Sequence, residues 1–283
     1  NWVKFGKEGD KDIYWRIIRI NGDGSIRMIY TGTTDPKNES SVTGSNGVYM
    51  TGTGTQINAT NYAFNSSYNK TEYVGYMYTE GEQHGNSTSS GVKTTIENWY
   101  AGTTLKDNAL VSQDQIFCND RSASTSNVAY SESNYATLTS WNSTGTQYYY
   151  GTYGRLYKSN SPILTCPTAS DKFTSKNSSI GNKALTYPVG LITADEIVLA
   201  GGKYETGNST YYLYTNQSYW SGSSYSFNGA GSRAYEFYVG SSGILYNGVV
   251  LYSNGARPVV SLSSKAKLSG NGTYSNPYTV SSD

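Results

Sequence analysis

Short apolar runs broken by Gly, Asn and Asp set the pattern of this chain. Ile13-Tyr14-Trp15-Arg16-Ile17-Ile18-Arg19-Ile20 reads as a strand, and Ser25-Ile26-Arg27-Met28-Ile29-Tyr30 as its return. Between them lies Asn21-Gly22-Asp23-Gly24. Asn-Gly and Asp-Gly tolerate positive φ, so this is the strongest hairpin signal in the sequence. Trp2, Val3 and Phe5 predict a preceding edge strand. After Gly202 the chain turns into hairpins. Strands are expected over 219–220, 234–239, 244–246 and 249–252, with turns at 240–243 and at Asn247-Gly248. Arg257-Pro258-Val259-Val260-Ser261-Leu262 is the last core strand, its Pro placed where a missing N–H is tolerated.

Helical signals are few. Thr94 and Glu97 match a capping box, with Ile96, Trp99 and Tyr100 on one face and Gly102 as the stop. Thr193 and Glu196 form a second box, followed by Ile197, Val198, Leu199 and Gly201-Gly202. A short buried strand over 187–192 leads into it. Residues 31–92 and 103–180 are rich in Gly, Ser, Thr and Asn and read as long loops. Within them, 73–78 reads as a strand, 116–121 and 154–157 as short ordered pieces, and 122–149 as exposed. Few helices among antiparallel strands predict an α+β chain. We expect one domain over 1–264 carrying the inserted loops 31–92 and 103–180, with 265–283 as a short C-terminal β extension.

Composition adds a functional direction. Of 283 residues 29 are Tyr and only six are Phe, so the aromatic content is mostly rings with a polar tip. Tyr gives rigid contact area, and Ser, Gly and Asn give adaptable hydrogen bonds, the mixture binding surfaces use. Charged residues are 14% and the net charge is +1, so no basic footprint for nucleic acid exists. No apolar run is long enough to span a bilayer. The chain begins at Asn1 without a signal peptide, which we read as a processed ectodomain, extracellular or at the cell surface. Cys118 and Cys166 are either two buried thiols or one disulfide; the extracellular composition favours the disulfide.

Hairpin, two helices, then strands ending Gly255-Ala256-Arg257-Pro258-Val259-Val260 resemble the C-type-lectin-like fold. The likeness is closer to the branch of formylglycine-generating-enzyme-like domains and the variable proteins of diversity-generating retroelements. Those end in a similar Gly-x-Arg-Pro-Val segment and carry a Tyr-Trp-Ser motif, here Tyr219-Trp220-Ser221. The front end, Tyr14 to Gly24, and the segment Leu191-Ile192-Thr193-Ala194-Asp195-Glu196-Ile197 are similar to bacterial secreted or surface proteins, some with pilin-like anchors. The resemblance implies an apolar frame, including Phe237, Val239, Leu245, Val249 and Leu251, bearing an exchangeable solvent-facing surface. On that surface we expect Ser224, Tyr225, Ser226, Asn228, Arg233, Tyr235, Tyr246, Asn247, Tyr252 and Asn254.

Chemistry is poorly supported. No Cys follows Cys166, so the cysteine pair of the formylglycine-generating enzymes is missing. One His, His84, in a polar Gly-rich loop reads as solvated. Two Cys and one His do not make a usual zinc site. Asp195 and Glu196 read as helix-capping acids. Asn21-Gly22-Asp23-Gly24 lacks the spaced acids of an EF-hand, so calcium has no supporting ligand set. The expectation is a non-enzymatic, cofactor-free surface protein that binds an unidentified protein or carbohydrate. A structural subunit of a pilus-like filament, with self-assembly, is the alternative.

Overall fold

The computed structural model describes residues 1–38, 42, 43, 47, 49–124, 148–176, 179–229 and 231–282. The chain is α+β: two large sheets carry the architecture, with α-helices at Gly91–Ala101, Gly151–Gly154 and Ala194–Leu199. The first sheet has six strands in the order Val259–Leu262, Ile26–Gly32, Lys11–Ile20, Trp2–Glu8, Tyr278–Ser281, Lys267–Ser269. Its centre is the expected hairpin around Asn21-Gly22-Asp23-Gly24, with Trp15 opposite Tyr30. The strand Trp2–Glu8 is not an edge, as the sequence suggested. Tyr278–Ser281 returns to pair with it in parallel, Val3 opposite Tyr278. The C-terminal β extension thus completes this sheet.

The second sheet has seven strands. Six run in the order Lys203–Tyr204, Ile244–Val249, Arg233–Val239, Tyr219–Asn228, Ser253–Gly255, Asn61–Ala63, and Tyr148–Tyr149 adds to Tyr219–Asn228. Asn247-Gly248 is not a turn. It lies inside Ile244–Val249, with Asn247 paired to Phe237 and Gly248 to Glu236. Local turn chemistry loses here to pairing along a whole strand, and the reversal falls after Val249. Segment 187–192 is likewise not a full strand; it makes one bridge, Gly190 to Val259.

The two sheets meet at Gly255-Ala256-Arg257-Pro258. Gly255 is required: a Cβ there would lie 2.8 Å from the Ser218 carbonyl oxygen. Arg257 is 1% exposed and fans its guanidinium across the joint. It donates to Tyr30 O at 3.0 Å and Leu213 O at 3.0 Å, and its carbon stands 4.8 Å from the Tyr219 ring centroid. The planar fork thus closes carbonyls that no strand partner reaches.

The long polar segments are part of the core. Phe64, Val74, Leu105, Val111, Phe117 and Phe173 are buried in the same apolar cluster as Trp15 and Trp220. Segment 73–78 is a 3-10 turn, Thr71–Val74, followed by the two-residue strand Met77–Tyr78. Of the stretch 122–149, residues 125–147 lie outside the described residues, and Tyr149 is buried rather than exposed. The first helix begins a turn earlier than the Thr94 signal. Ser90 is the N-cap, accepting from Lys93 N, while Thr94 Oγ1 donates back to Ser90 O at 3.1 Å. Such back-bonding places Thr94 inside the helix. Glu97 then pairs with Lys93 Nζ at 2.8 Å and accepts from Thr186 N at 2.9 Å. The second capping box is present as read, at Thr193 and Glu196.

Cys118 and Cys166 form a disulfide across a sequence separation of 48. A closed loop of that length restricts the unfolded chain by about 4 kcal/mol on the entropic model. The Cys118→Ser, Cys166→Ser double variant is expected to lose about 2–4 kcal/mol in urea denaturation. An unchanged midpoint would contradict a stabilising crosslink.

Candidate functional site

Tyrosine in this chain is first a core residue. Tyr149 stacks on Tyr153 with centroids 3.9 Å apart, and Tyr225 stands edge-on to Phe237 at 5.0 Å. Tyr204 and Tyr225 join their hydroxyls at 2.9 Å. Elsewhere Tyr100 donates to Leu105 O and Tyr150 to Thr71 O. Burial raises the Tyr225 phenol far above its ordinary value, with the phenols of Tyr204 and Tyr153 adding to it. A chain poor in Phe and Leu fills its interior with rings, and the hydroxyls of Tyr100, Tyr150, Tyr204 and Tyr225 find carbonyls or each other.

This changes the expected surface. Ser224, Tyr225, Ser226 and Asn254 are buried, so their placement on a solvent-facing surface is corrected. Tyr225 belongs to the ring cluster just described. Ser226 lies between Tyr149 and Tyr235 in the pairing. Ser224 donates to Val74 O at 3.5 Å, beneath the 3-10 turn. Asn254 is paired between strands, opposite Tyr62. Leu251, expected in the frame, is instead 43% exposed.

The other six divide by the strand alternation. Asn228 pairs with Arg233, and Asn247 pairs with Phe237. Arg233, Tyr235 and Phe237 alternate along one strand, so Asn228, Arg233, Tyr235 and Asn247 share one side of three adjacent strands. Arg233 is exposed and the other three are half-buried. Tyr246 pairs with Tyr238 and projects to the opposite side. Tyr252 is in the turn that follows, 57% exposed. The ten residues therefore do not make one surface; four of them make a strip.

A second feature lies elsewhere, where the N-terminal hairpin, the helix Ala194–Leu199 and the disulfide meet around a cleft of about 360 Å³. Its floor is a charge network. Glu196 closes the capping box through Thr193 N at 3.0 Å, and its other oxygen takes Arg27 Nε at 2.6 Å and Arg19 Nε at 3.0 Å. Burial would raise the Glu196 carboxyl; Arg27, the Thr193 N–H and Arg19 outweigh it and hold the group below the ordinary range. Arg155 grips Asp195 with two bonds of 2.9 Å and reaches Asp120 at 2.7 Å. The reading of Asp195 and Glu196 as capping acids was therefore incomplete: both also hold guanidiniums from distant segments.

Behind the disulfide, Arg121 donates from Nε and Nη2 to Asp171 Oδ1 at 2.9 and 2.7 Å. Its Nη1 donates to the Met77 and Gly85 carbonyls at 2.8 Å, and Nη2 also donates to Asn86 Oδ1 at 3.0 Å. His84 is not simply solvated, since its Nδ1 meets Asp171 Oδ2 at 3.0 Å. No serine or cysteine nucleophile bonds that ring among the described residues, and none of them forms a cluster of three or more metal-ligating side chains. No helix among the described residues is long and apolar enough to cross a membrane. Sequence reasoning missed Arg121, Arg155, Asp120 and Asp171. The available signal was Asn119-Asp120-Arg121 directly after an apolar run ending in a cysteine, in a chain short of charge.

No protein-family model matches this chain, and no curated protein or solved structure matches it.

Glu236 stands apart from these pairs. It is fully buried on the strand Arg233–Val239, opposite Ser224, and neither carboxyl oxygen has a hydrogen-bond partner among the described residues. Burial raises it well above the usual 4.5, with Arg121 only partly opposing. A folded pKa above the unfolded one means stability complete below about 4.5 and declining as pH rises toward the folded value. Glu236→Gln is expected to leave the melting temperature little changed at about pH 4 and to raise it at about pH 8. Equal shifts at both pH values would contradict a carboxyl kept neutral by burial.

Proposed function

We propose that this chain is a ligand-binding protein of the cell surface or extracellular space, with a lectin-like frame and no catalytic role. One observation carries the reading: Asn228, Arg233, Tyr235 and Asn247 present polar groups on one side of three hydrogen-bonded strands. Neither Arg233 nor Tyr235 makes a side-chain hydrogen bond or ion pair among the described residues, so both keep their bonding capacity for a partner. Strands hold such groups in more definite positions than loops do. Tyr and Arg are also the residues that most often dominate binding energy at interfaces. The strip replaces the ten-residue surface expected from the sequence.

The scarcity of net charge fits this reading, because recognition would rest on shape and hydrogen bonds rather than on electrostatic steering. The ligand class is protein or carbohydrate, and Tyr serves either, by packing against an apolar side chain or against the C–H face of a sugar. A retroelement-type variable surface would be confined to positions such as these four, none of which is fully buried.

The test is saturable binding of labelled protein to immobilised mucin glycoprotein and to extracellular-matrix protein. Arg233→Ala combined with Tyr235→Ala is expected to weaken binding about tenfold or more, which corresponds to at least about 1.4 kcal/mol. Tyr246→Ala, on the opposite side of the sheet, is expected to leave it unchanged. Failure to bind either probe, or equal loss from Tyr246→Ala, would contradict the strip as the binding surface.

A further inference from the structure

The cleft beside the disulfide carries an arrangement that the strip does not use, and no residue of the strip lines it. Its volume, about 360 Å³, lies at the lower end of small-molecule sites. The floor demands nothing of a ligand's charge. Arg27 and Glu196, and Arg155 with Asp195 and Asp120, already neutralise one another. Arg27 stands on a strand, Asp195 and Glu196 on the capped helix, and Arg155 ties Asp120 to them, so the floor is polar and cross-linked.

The walls are different, because they hold charges that make no ion pair among the described residues. Asp114 is exposed on one wall and makes no ion pair among the described residues. Its chain neighbour Gln115 donates to Asp23 Oδ2 at 3.0 Å, so a second carboxylate belongs to the same wall. Hydrogen bonds from Ser25 and Gln115 hold Asp23 below the ordinary carboxylate range, so it stays charged.

Lys172 also lines the cleft. Its backbone pairs with Cys118, and it makes no ion pair among the described residues. Two aliphatic side chains accompany it. Ile180 sits on the loop that returns to Lys172 O through Asn182 N at 2.8 Å, and Leu164 lies two residues before the disulfide's Cys166. They are 46% and 52% exposed, so each offers an apolar surface to the cleft.

We infer that this cleft binds a small zwitterion bearing an aliphatic side chain, a free amino acid or a short peptide. The ammonium would face Asp23 and Asp114, the carboxylate Lys172, and the side chain Leu164 and Ile180. A purely cationic ligand leaves Lys172 unmatched, and an anion leaves the carboxylates unmatched. A neutral sugar leaves both kinds of charge unmatched and the aliphatic groups facing water. Only a molecule with both charges and an apolar branch answers all three features.

The probe is the dipeptide leucyl-leucine, measured by calorimetry and by thermal shift on the full chain. Binding is expected, with affinity falling about tenfold when either terminus is blocked by acetylation or amidation. Lys172→Met should weaken the free dipeptide yet add nothing to the loss seen with the C-terminal amide. Asp114→Asn should behave in the same way toward the N-acetyl form. The two wall residues are exposed or half-buried, so both variants should melt with the wild type. Absence of binding at millimolar dipeptide, equal binding of the doubly blocked form, or a comparable response to glucose would each overturn the assignment. The Arg233→Ala, Tyr235→Ala variant should bind the dipeptide normally, so failure at the strip and failure at the cleft are separate results.

Discussion

Buried guanidiniums hold this molecule together. Arg27, Arg121 and Arg257 are each at most 1% exposed, and each ends on groups far away in sequence. Arg121 joins the 77–86 loop to Asp171, which in turn takes Arg121 N and His84. Arg257 joins the two sheets, bonding Tyr30 O and Thr31 Oγ1 of the first and lying against the Tyr219 ring of the second, with Leu213 O as a further acceptor. A guanidinium offers five donors in a fixed plane, so one side chain can close several loop carbonyls at once. Long Gly- and Ser-rich segments have many such carbonyls and few aliphatic side chains to bury. Removing one partner would strand a buried charge, a loss of about 3–5 kcal/mol.

The same fasteners decide where binding groups can stand. Arg155 and Arg27 draw Asp120, Asp195 and Glu196 into one floor, and the disulfide pins the segment that carries Leu164 beside them. The cleft is what remains between those tied segments. On the second sheet, the ring cluster of Tyr149, Tyr153, Tyr204 and Tyr225 fills one end of a face. Asn228, Arg233, Tyr235 and Asn247 are left at less covered positions of that face. Packing thus sorts one composition of Tyr, Ser and Asn into interior and surface.

Local signals in the sequence were legible where chemistry is local. The Asn21-Gly22-Asp23-Gly24 hairpin, the Thr193–Glu196 capping box and the core strand Val259–Leu262 depend on turn residues, a cap and a Val-Val pair in an apolar run. Long-range features were not legible. Nothing around Tyr225 marks it as interior, because a phenol suits core and surface alike once a hydroxyl partner is present. Asn247-Gly248 has the chemistry of a turn but is overruled by its pairing with Phe237 and Glu236. Thr94 and Glu97 imitate a capping box, yet the buried Ser90 starts the helix earlier. The cleft was invisible because Asp114, Lys172 and Leu164 come together only through the pairing of Phe117–Cys118 with Lys172–Phe173 and the disulfide.

Arginine anchoring, rather than aliphatic burial alone, makes the polar segments cooperative with the sheets. Native-state hydrogen exchange tests it most directly. The Arg121 amide, which donates to Asp171 Oδ2 at 2.9 Å, and the Tyr76 amide, which donates to Asn119 Oδ1 at 2.8 Å, should exchange only through global unfolding, together with the Tyr219–Asn228 strand. Exchange of those two amides through a separate, low-energy opening, while the strand stays protected, would contradict the account.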